Sequence, residues 1–342
     1  MKTSGKIKLF LIPIIIIFCF SCEGKNKNKA MLYFDYTTNE LRLVNIKTGQ
    51  ITNKTKMNLN ITPGYINDDG LSYKWFYDPA GKYLYLKEIN SGQNTKIYKI
   101  DIETFELSEI FSSEMFFHAI FVENDNLYLM NYIHGFDENP SKGNIFLFKH
   151  DLLSGHETVI DFNEALPQNE KINPHHFFIF DDKLIIVGRI NNGALRKIFR
   201  YDIKLKTIDI IDSYIDFGVR NLNNFILYER LIADEIFKDS IIIGLTVYGR
   251  DLVFYDLINK NKTILPYQVE AYQDYIIVDQ NTIIYSKEDD FTKKQNRLIN
   301  DEYISYYDRG HLINFYLAEV NKNKEQKIFS VYGVLEILGI ID

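Results

Sequence analysis

The sequence predicts an all-β body in which six four-stranded units close into a ring. Three observations lead there. First, a strand-like phrase recurs: Leu41-Arg42-Leu43-Val44-Asn45-Ile46, Ile97-Tyr98-Lys99-Ile100-Asp101-Ile102, Ile145-Phe146-Leu147-Phe148-Lys149-His150-Asp151-Leu152, Ile198-Phe199-Arg200-Tyr201-Asp202-Ile203, Leu252-Val253-Phe254-Tyr255-Asp256-Leu257 and a degenerate Leu312 to Val320. Aligned on Asn45, Asp101, Asp151, Asp202, Asp256 and Glu319, the copies step by roughly 50 to 60 residues, a period that marks an array of supersecondary units. Second, the 342 residues are 46% hydrophobic and 15% aromatic, with 24 Tyr and 25 Phe. That composition suits pleated, half-buried strands and excludes global disorder. Third, the first unit is one strand short, and the tail Val334 to Ile341 is one apolar strand too many. A ring resolves both, with the tail as innermost strand of the first unit; an open array would leave unpaired edges.

The chain begins with an address. Lys2, Lys6 and Lys8 precede the apolar run Leu9 to Phe20, which is followed by Ser21-Cys22. About a dozen apolar residues fall short of the roughly 20 needed to span a bilayer and suit a signal h-region. Cys19-Phe20-Ser21-Cys22 resembles the lipobox of bacterial lipoproteins. The resemblance implies cleavage after Ser21 and acylation of Cys22, including a palmitate-type chain. The alternative is a plain secretory signal or a short uncleaved anchor. Residues 1–21 are thus expected to be a signal peptide, 22–30 a polar tether and 31–342 the folded body. Losing residues 1–21 removes three positive charges from a chain already at −7. So acidic a body argues against general nucleic-acid binding. Cys19 and Cys22 are the only cysteines, so the body holds neither a disulfide nor a thiolate zinc site.

The units follow in order. The first has strands over 31–36, 41–46 and 51–56. The second has Tyr73–Tyr77, the turn Asp78-Pro79-Ala80-Gly81-Lys82, then Tyr83–Lys87, Lys96–Ile102 and Glu106–Phe111. Pro presets φ at an early turn position and Gly accepts the strained one. The third has His118–Glu123, Leu127–Tyr132, Asn144–Leu152 and Glu157–Asp161. The fourth has Phe177–Phe180, Leu184–Arg189, Lys197–Ile203 and Thr207–Ile211. The fifth has Phe225–Leu231, Ser240–Val247, Asp251–Leu257 and Lys262–Leu265. The sixth has Tyr275–Asp279, Thr282–Ser286, His311–Val320 and Gln326–Val331, with a charged insertion over 287–310. Short helical turns are expected only at Asn163–Glu170 and Glu229–Ile236.

The second unit resembles the TolB-like, WD40-like Pro-Asp-Gly-Lys repeat of β-propellers. In that family a Ser-Pro-Asp-Gly-Lys turn joins the first two strands and an Ile-Tyr-x-x-Asp strand comes third. Asp78-Pro79-Ala80-Gly81-Lys82 and Ile97-Tyr98-Lys99-Ile100-Asp101 match that outline; the other units keep mainly the third strand. The resemblance implies a six-bladed β-propeller closed by its C-terminal strand, with envelope proteins as partners. Seven blades is the alternative count. A pair of β-sandwiches or an open solenoid is the competing architecture.

Motifs for chemistry are sparse. There is no Gly-x-Ser-x-Gly elbow, no phosphate-cradling Gly-x-x-x-x-Gly-Lys-Ser/Thr and no His-Glu-x-x-His. Asp68-Asp69-Gly70 and Asp137-Glu138-Asn139 lack the spacing of a calcium loop. The recurring Asp101, Asp151, Asp202 and Asp256 invite a catalytic role, but a residue repeated in each unit serves each unit; accepting turn N–H groups is the expected role. Trp75 is expected in the core between blades rather than as a ligand platform. His175-His176 is the one histidine pair, and strand alternation sends its members to opposite faces. On the end of the ring where loops lead into inner strands, the candidate binding residues are His118, His175, Arg220 and Tyr272. No catalytic residue, metal ligand or cofactor is expected. The function expected is a lipid-anchored, monomeric envelope scaffold for a protein, peptide or glycan. The rival is an extracellular glycan lyase or hydrolase with its site at the channel mouth.

Overall fold

In a computed structural model, the protein is described over residues 29–58, 72–77, 82–89, 94–115, 117, 119–123, 125–130, 146–191, 193, 195–231, 250–268, 275–288, 311–320, 322, 324–333 and 335–341. Six four-stranded antiparallel blades form a β-propeller. Blade I joins β1 (Ala30–Asp35), β2 (Glu40–Asn45) and β3 (Ile51–Lys56) to the last strand, β23 (Leu335–Ile341), in the order β23-β1-β2-β3. Blade II is β4 (Ser72–Tyr77), β5 (Tyr83–Ile89), β6 (Thr95–Asp101) and β7 (Leu107–Ser113). Blade III is β8 (Ala119–Glu123), β9 (Asn126–Met130), β10 (Leu147–Asp151) and β11 (Glu157–Ile160).

Blades IV and V share a strand. β12 (Ile172–Phe180), β13 (Lys183–Ile190), β14 (Arg196–Asp202), β15 (Thr207–Leu222), β16 (Phe225–Leu231), β17 (Arg250–Asp256) and β18 (Asn261–Gln268) form one seven-stranded sheet. The 16-residue β15 is the outer strand of blade IV and then the inner strand of blade V. Its register breaks between Ile215 and Val219, and Ile215 pairs with Arg196 on one side and Arg230 on the other. Blade VI is β19 (Tyr275–Asp279), β20 (Thr282–Glu288), β21 (His311–Glu319) and β22 (Glu325–Gly333).

Closure occurs as the sequence predicts. β23 lies antiparallel to β1, with Ala30 opposite Ile341 and Asp35 opposite Leu335. Each apolar cluster lies between neighbouring blades, because both faces of a blade must be covered. Phe34, Trp75, Leu84, Ile100 and Leu338 fill the seam of blades I and II. Met31, Tyr33, Ile276, Ile284, Phe315 and Ile337 fill the seam of blades VI and I, which completes the circle.

Two expectations need correction. Phe225–Leu231 is the second strand of blade V, because it pairs directly with β17; the first is Ile215–Leu222, which the sequence pattern leaves unassigned beyond Ile211. Ser240–Val247, expected between them, lies outside the described residues. Glu229–Ile236 does not start a helix, since Glu229 sits inside β16. The other expected helix shrinks to one 3-10 turn over Phe162–Ala165, capped by Asp161, whose carboxylate accepts from the Asn163 N–H. The Asp78–Gly81 turn also lies outside the described residues.

The ring has two unlike ends. At one, hairpin turns join first to second and third to fourth strands; this is the turn end. It holds the short connections at 124–125, 181–182, 223–224 and 280–281, and those over 46–50, 102–106, 152–156, 203–206, 257–260 and 320–324. At the other, the loop end, the chain passes from second to third strands and from blade to blade. The strand ends that flank the longer stretches of sequence, 57–71, 131–146, 161–171, 232–249 and 289–310, all lie here.

The recurring carboxylates build the turn end. Asp101 accepts from the N–H groups of Glu103 and Thr104 at 2.9 and 3.0 Å. Asp151 holds Leu153 and Ser154, Asp202 holds Lys204 and Leu205, Asp256 holds Ile258 and Asn259, and Asn45 holds Lys47 and Thr48 in the same way. Backbone N–H bonds, from Thr104 and Ser154 foremost, hold the carboxyls of Asp101 and Asp151 below the usual range. Four residues after each cap the backbone turns left-handed, at Gly49, Phe105, Gly155, Lys206 and Lys260. The aspartates are therefore turn residues.

Candidate functional site

Polar groups inside the body collect toward the loop end. Asp35 closes β1, Lys87 and Thr95 flank the second connection of blade II, Glu229 is near the end of β16, and Ser286 and Asn314 lie near the facing ends of β20 and β21 in blade VI. All six are buried. The turn-end halves of the same second strands carry Met31, Leu84, Leu127, Leu184, Ile226 and Ile283, all fully buried and apolar. A buried polar group is stable only when bonded, so such groups mark places built for specific contacts.

The bonds can be followed. Lys87 Nζ donates to the Phe117 carbonyl at 2.9 Å, and the Phe117 N–H donates to Thr95 Oγ1 at 3.1 Å. This fastens the segment leading into β8 to blade II. In blade I, Arg42 pairs with Asp35 at 2.9 Å and with Glu40 at 2.7 Å. The Arg42 bond holds the Glu40 carboxyl low, while burial pushes the Tyr33 hydroxyl up. Tyr36, in the turn after β1, donates to Glu336 on β23 and ties the closing strand to this rim. In blade VI, Ser330 Oγ donates to Asn314 Oδ1 at 2.7 Å.

His175 is the best placed of the sequence candidates. It lies on β12, the inner strand of blade IV, in the half next to the loop end. Pro174 pairs with Gly188 and His176 with Val187, so His175 is the extra residue of a β-bulge. A bulge re-aims its side chain, and bulges cluster at functional rims. Pro174 is tolerated because the inner strand is an edge that needs no N–H there. Gly188 is required opposite: a Cβ at that position would meet the Asn173 carbonyl oxygen at 2.6 Å and Ile172 Cγ2 at 2.8 Å. Next to Gly188, Arg189 pairs in register with Asn173, and its buried Nε has no hydrogen-bond partner among the described residues. His176 lies against Phe178, with ring centroids 6.4 Å apart.

The four candidates do not share one mouth. Arg220 is on the inner strand of blade V but pairs with Leu227, close to the Asn223-Asn224 turn, and so stands at the turn end. The shared strand explains the difference: with Ile215–Leu222 as the inner strand, its start, not Arg220, faces the loop end. His118, Tyr272 and Cys22 lie outside the described residues. Trp75 packs on Phe34, with ring centroids 5.0 Å apart, and is buried between blades I and II, as a core residue. Among the described residues no cluster of three His, Cys, Asp or Glu side chains could hold a metal ion.

Lys87, Arg189 and Glu229 were missed by sequence reasoning. Lys87 and Glu229 sit in alternating strands where a charged residue reads as solvent-facing. Gly188 was the available signal: a glycine inside the run Leu184 to Val187 is the mark of a bulge or a close backbone approach.

No family model matches the chain, and no curated protein matches it. Similar solved structures include the tricorn protease, at 13% identity and a TM-score of 0.45, over 90% of this chain and 30% of that one. An oligogalacturonate lyase in complex with manganese matches at 9% identity and a TM-score of 0.41, over 75% of this chain and 72% of that one. The hydrazine synthase of Kuenenia stuttgartiensis matches at 12% identity and a TM-score of 0.40, over 85% of this chain and 89% of that one. The chain thus spans under a third of the tricorn protease chain. At these scores the likenesses carry no residue correspondence.

Proposed function

We propose that the protein is a lipid-anchored propeller of a bacterial envelope that binds a protein, peptide or glycan at its loop end. Cys22 is the acylated residue, and residues 22–30 are the tether. One observation carries the reading of the binding face: buried polar groups and the longer connections share one end of the ring, while the other end is sealed by near-identical capped turns. Loops on a rigid scaffold are where recognition usually resides. His175, re-aimed by its bulge, and Arg189, opposite Asn173 on the neighbouring strand, are the described residues proposed to meet a ligand there.

The test is photo-cross-linking in intact cells, with a photoreactive residue at His175 and, as control, at Ser154 in a turn-end hairpin. One stoichiometric envelope partner captured from position 175 and not from 154 supports the proposal. Equal capture from both positions, or none, overturns it. A bulged histidine on the inner strand, with the half-buried Arg189 on the next strand, also suits an enzyme acting on acidic glycans. Glycan turnover by the purified protein that is lost in His175→Ala would replace the binding-module reading with that one.

A further inference from the structure

The turn end carries an unexplained set of aliphatic tips. Leu153, Leu205 and Ile258 lie two or three residues past the capping aspartates of blades III, IV and V, and they are 83%, 73% and 64% exposed. Scattered exposed leucines are ordinary. These three differ because they occupy one kind of turn position in three successive blades, on one end of the ring. The turn does not need them: in blades I and II the same positions hold Lys47, Thr48, Glu103 and Thr104. Their side chains support no core.

The start of the chain emerges on the same end. Ala30 pairs with Asn45, the cap of the blade I turn, and the Ile46 N–H donates to the Lys29 carbonyl at 3.1 Å. Only residues 23–29 separate Cys22 from β1. At about 3.5 Å per residue, that stretch holds an anchored body within about 30 Å of the lipid. The first described residues lie at blade I, and the aliphatic tips of blades III to V lie across the ring from them.

We propose that the protein sits turn end down on its membrane, with Leu153, Leu205 and Ile258 inserted at the boundary of lipid headgroups and acyl chains. The inference rests on the lipid-anchor reading above. The occupant is lipid rather than a protein groove because the tips are separate aliphatic points on the end of the ring that an anchor at Cys22 would hold near the bilayer. The contact is led by these aliphatic tips, and the lysines of the blade IV turn are already paired, Lys204 with Asp182 at 2.5 Å and Lys206 with Glu164 at 2.9 Å. The loop end and His175 then face away from the membrane.

Leu205 and Leu195 lie just beyond the two ends of β14, which gives an internal control in one blade. The full-length protein is expressed with its signal and purified as L205C, L153C, I258C or L195C. Each is labelled with an environment-sensitive fluorophore and placed one copy per nanodisc, with a headgroup-depth quencher in the lipid. The only native thiols are Cys19 and Cys22, and an acylated Cys22 takes no label. Labels at 153, 205 and 258 are expected to be quenched several-fold more than the label at 195, with little change in salt. Capture on nanodiscs without that difference overturns the docking and leaves the anchor standing. Failure to capture, together with a labelled Cys22, overturns the anchor and the docking with it. Quenching that appears only with several copies per disc identifies a second copy as the occupant and overturns lipid docking.

Discussion

Removing residues 334–342 is expected to unfold the whole ring rather than fray its end. β23 buries Ile337 and Leu338 to 2% and 6% exposure. Burial of each contributes about 1.5–3 kcal/mol. The strand is also in register with β1 from Ala30 to Asp35, and each backbone bond lost costs a net ~0.5–1.5 kcal/mol. Its loss uncovers one side of Met31 and Tyr33, which are fully buried. Together these amount to ~6–10 kcal/mol, the same size as the ~5–15 kcal/mol that holds an ordinary domain. Trp75, the single tryptophan, packs on Phe34 at the seam of blades I and II and reports the event directly. Urea unfolding followed by its fluorescence should show no cooperative transition in the truncated chain. The graded variant Leu338→Ala, in the same cluster as Trp75, should keep the transition and lose about 2–4 kcal/mol. A truncated chain with the midpoint of the intact protein would refute closure as the source of stability.

Three further outcomes are expected. Asp212, 12% exposed, accepts from Tyr228 at 2.5 Å and pairs with Lys262 at 2.6 Å across blades IV and V. Burial raises its pKa, but those partners outweigh burial and hold it below the usual value. Its contribution is therefore full above the unfolded carboxyl pKa near 4 and is lost as pH falls through the lower folded value. Asp212→Asn should cost about 2–4 kcal/mol at pH 7 and flatten the acid limb of a stability–pH curve. Gly188→Ala should destabilise by about 1–3 kcal/mol and move the His175 ring signal in NMR, because the added methyl meets backbone within 3 Å. Lys260→Gly should raise the unfolding free energy by roughly 0.5–1 kcal/mol and the midpoint with it, since a left-handed backbone is costly for lysine and free for glycine. An unchanged or lowered midpoint would count against that turn geometry.

The architecture was legible in the sequence where local chemistry repeats. The Asp-capped turns, the third strands and the surplus tail all fell where the pattern placed them, because turn capping and strand alternation act within a few residues. Blade V was misread for a physical reason. Thr207–Leu222 passes from one blade to the next as a single strand, so ending the outer strand at Ile211 left Ile215–Leu222 unassigned and moved the first strand of blade V to Phe225–Leu231. Gly188 hinted at a close backbone approach, but which residue of the facing strand bulges depends on the register with β13. Arg220 was assigned to the wrong end for the same reason as blade V. The polar interior was hidden because a buried Lys87 and a solvent-facing lysine look identical until the neighbouring blade is in place.

The closing seam also decides how the body bears a pull. β1 is held on both sides, by β23 and by β2, and its first residue faces the side from which the chain arrives. Tension arriving there runs along the strand axis. Its backbone bonds must then shear together instead of peeling one by one, so the load enters at a strand gripped on both flanks rather than at a free edge.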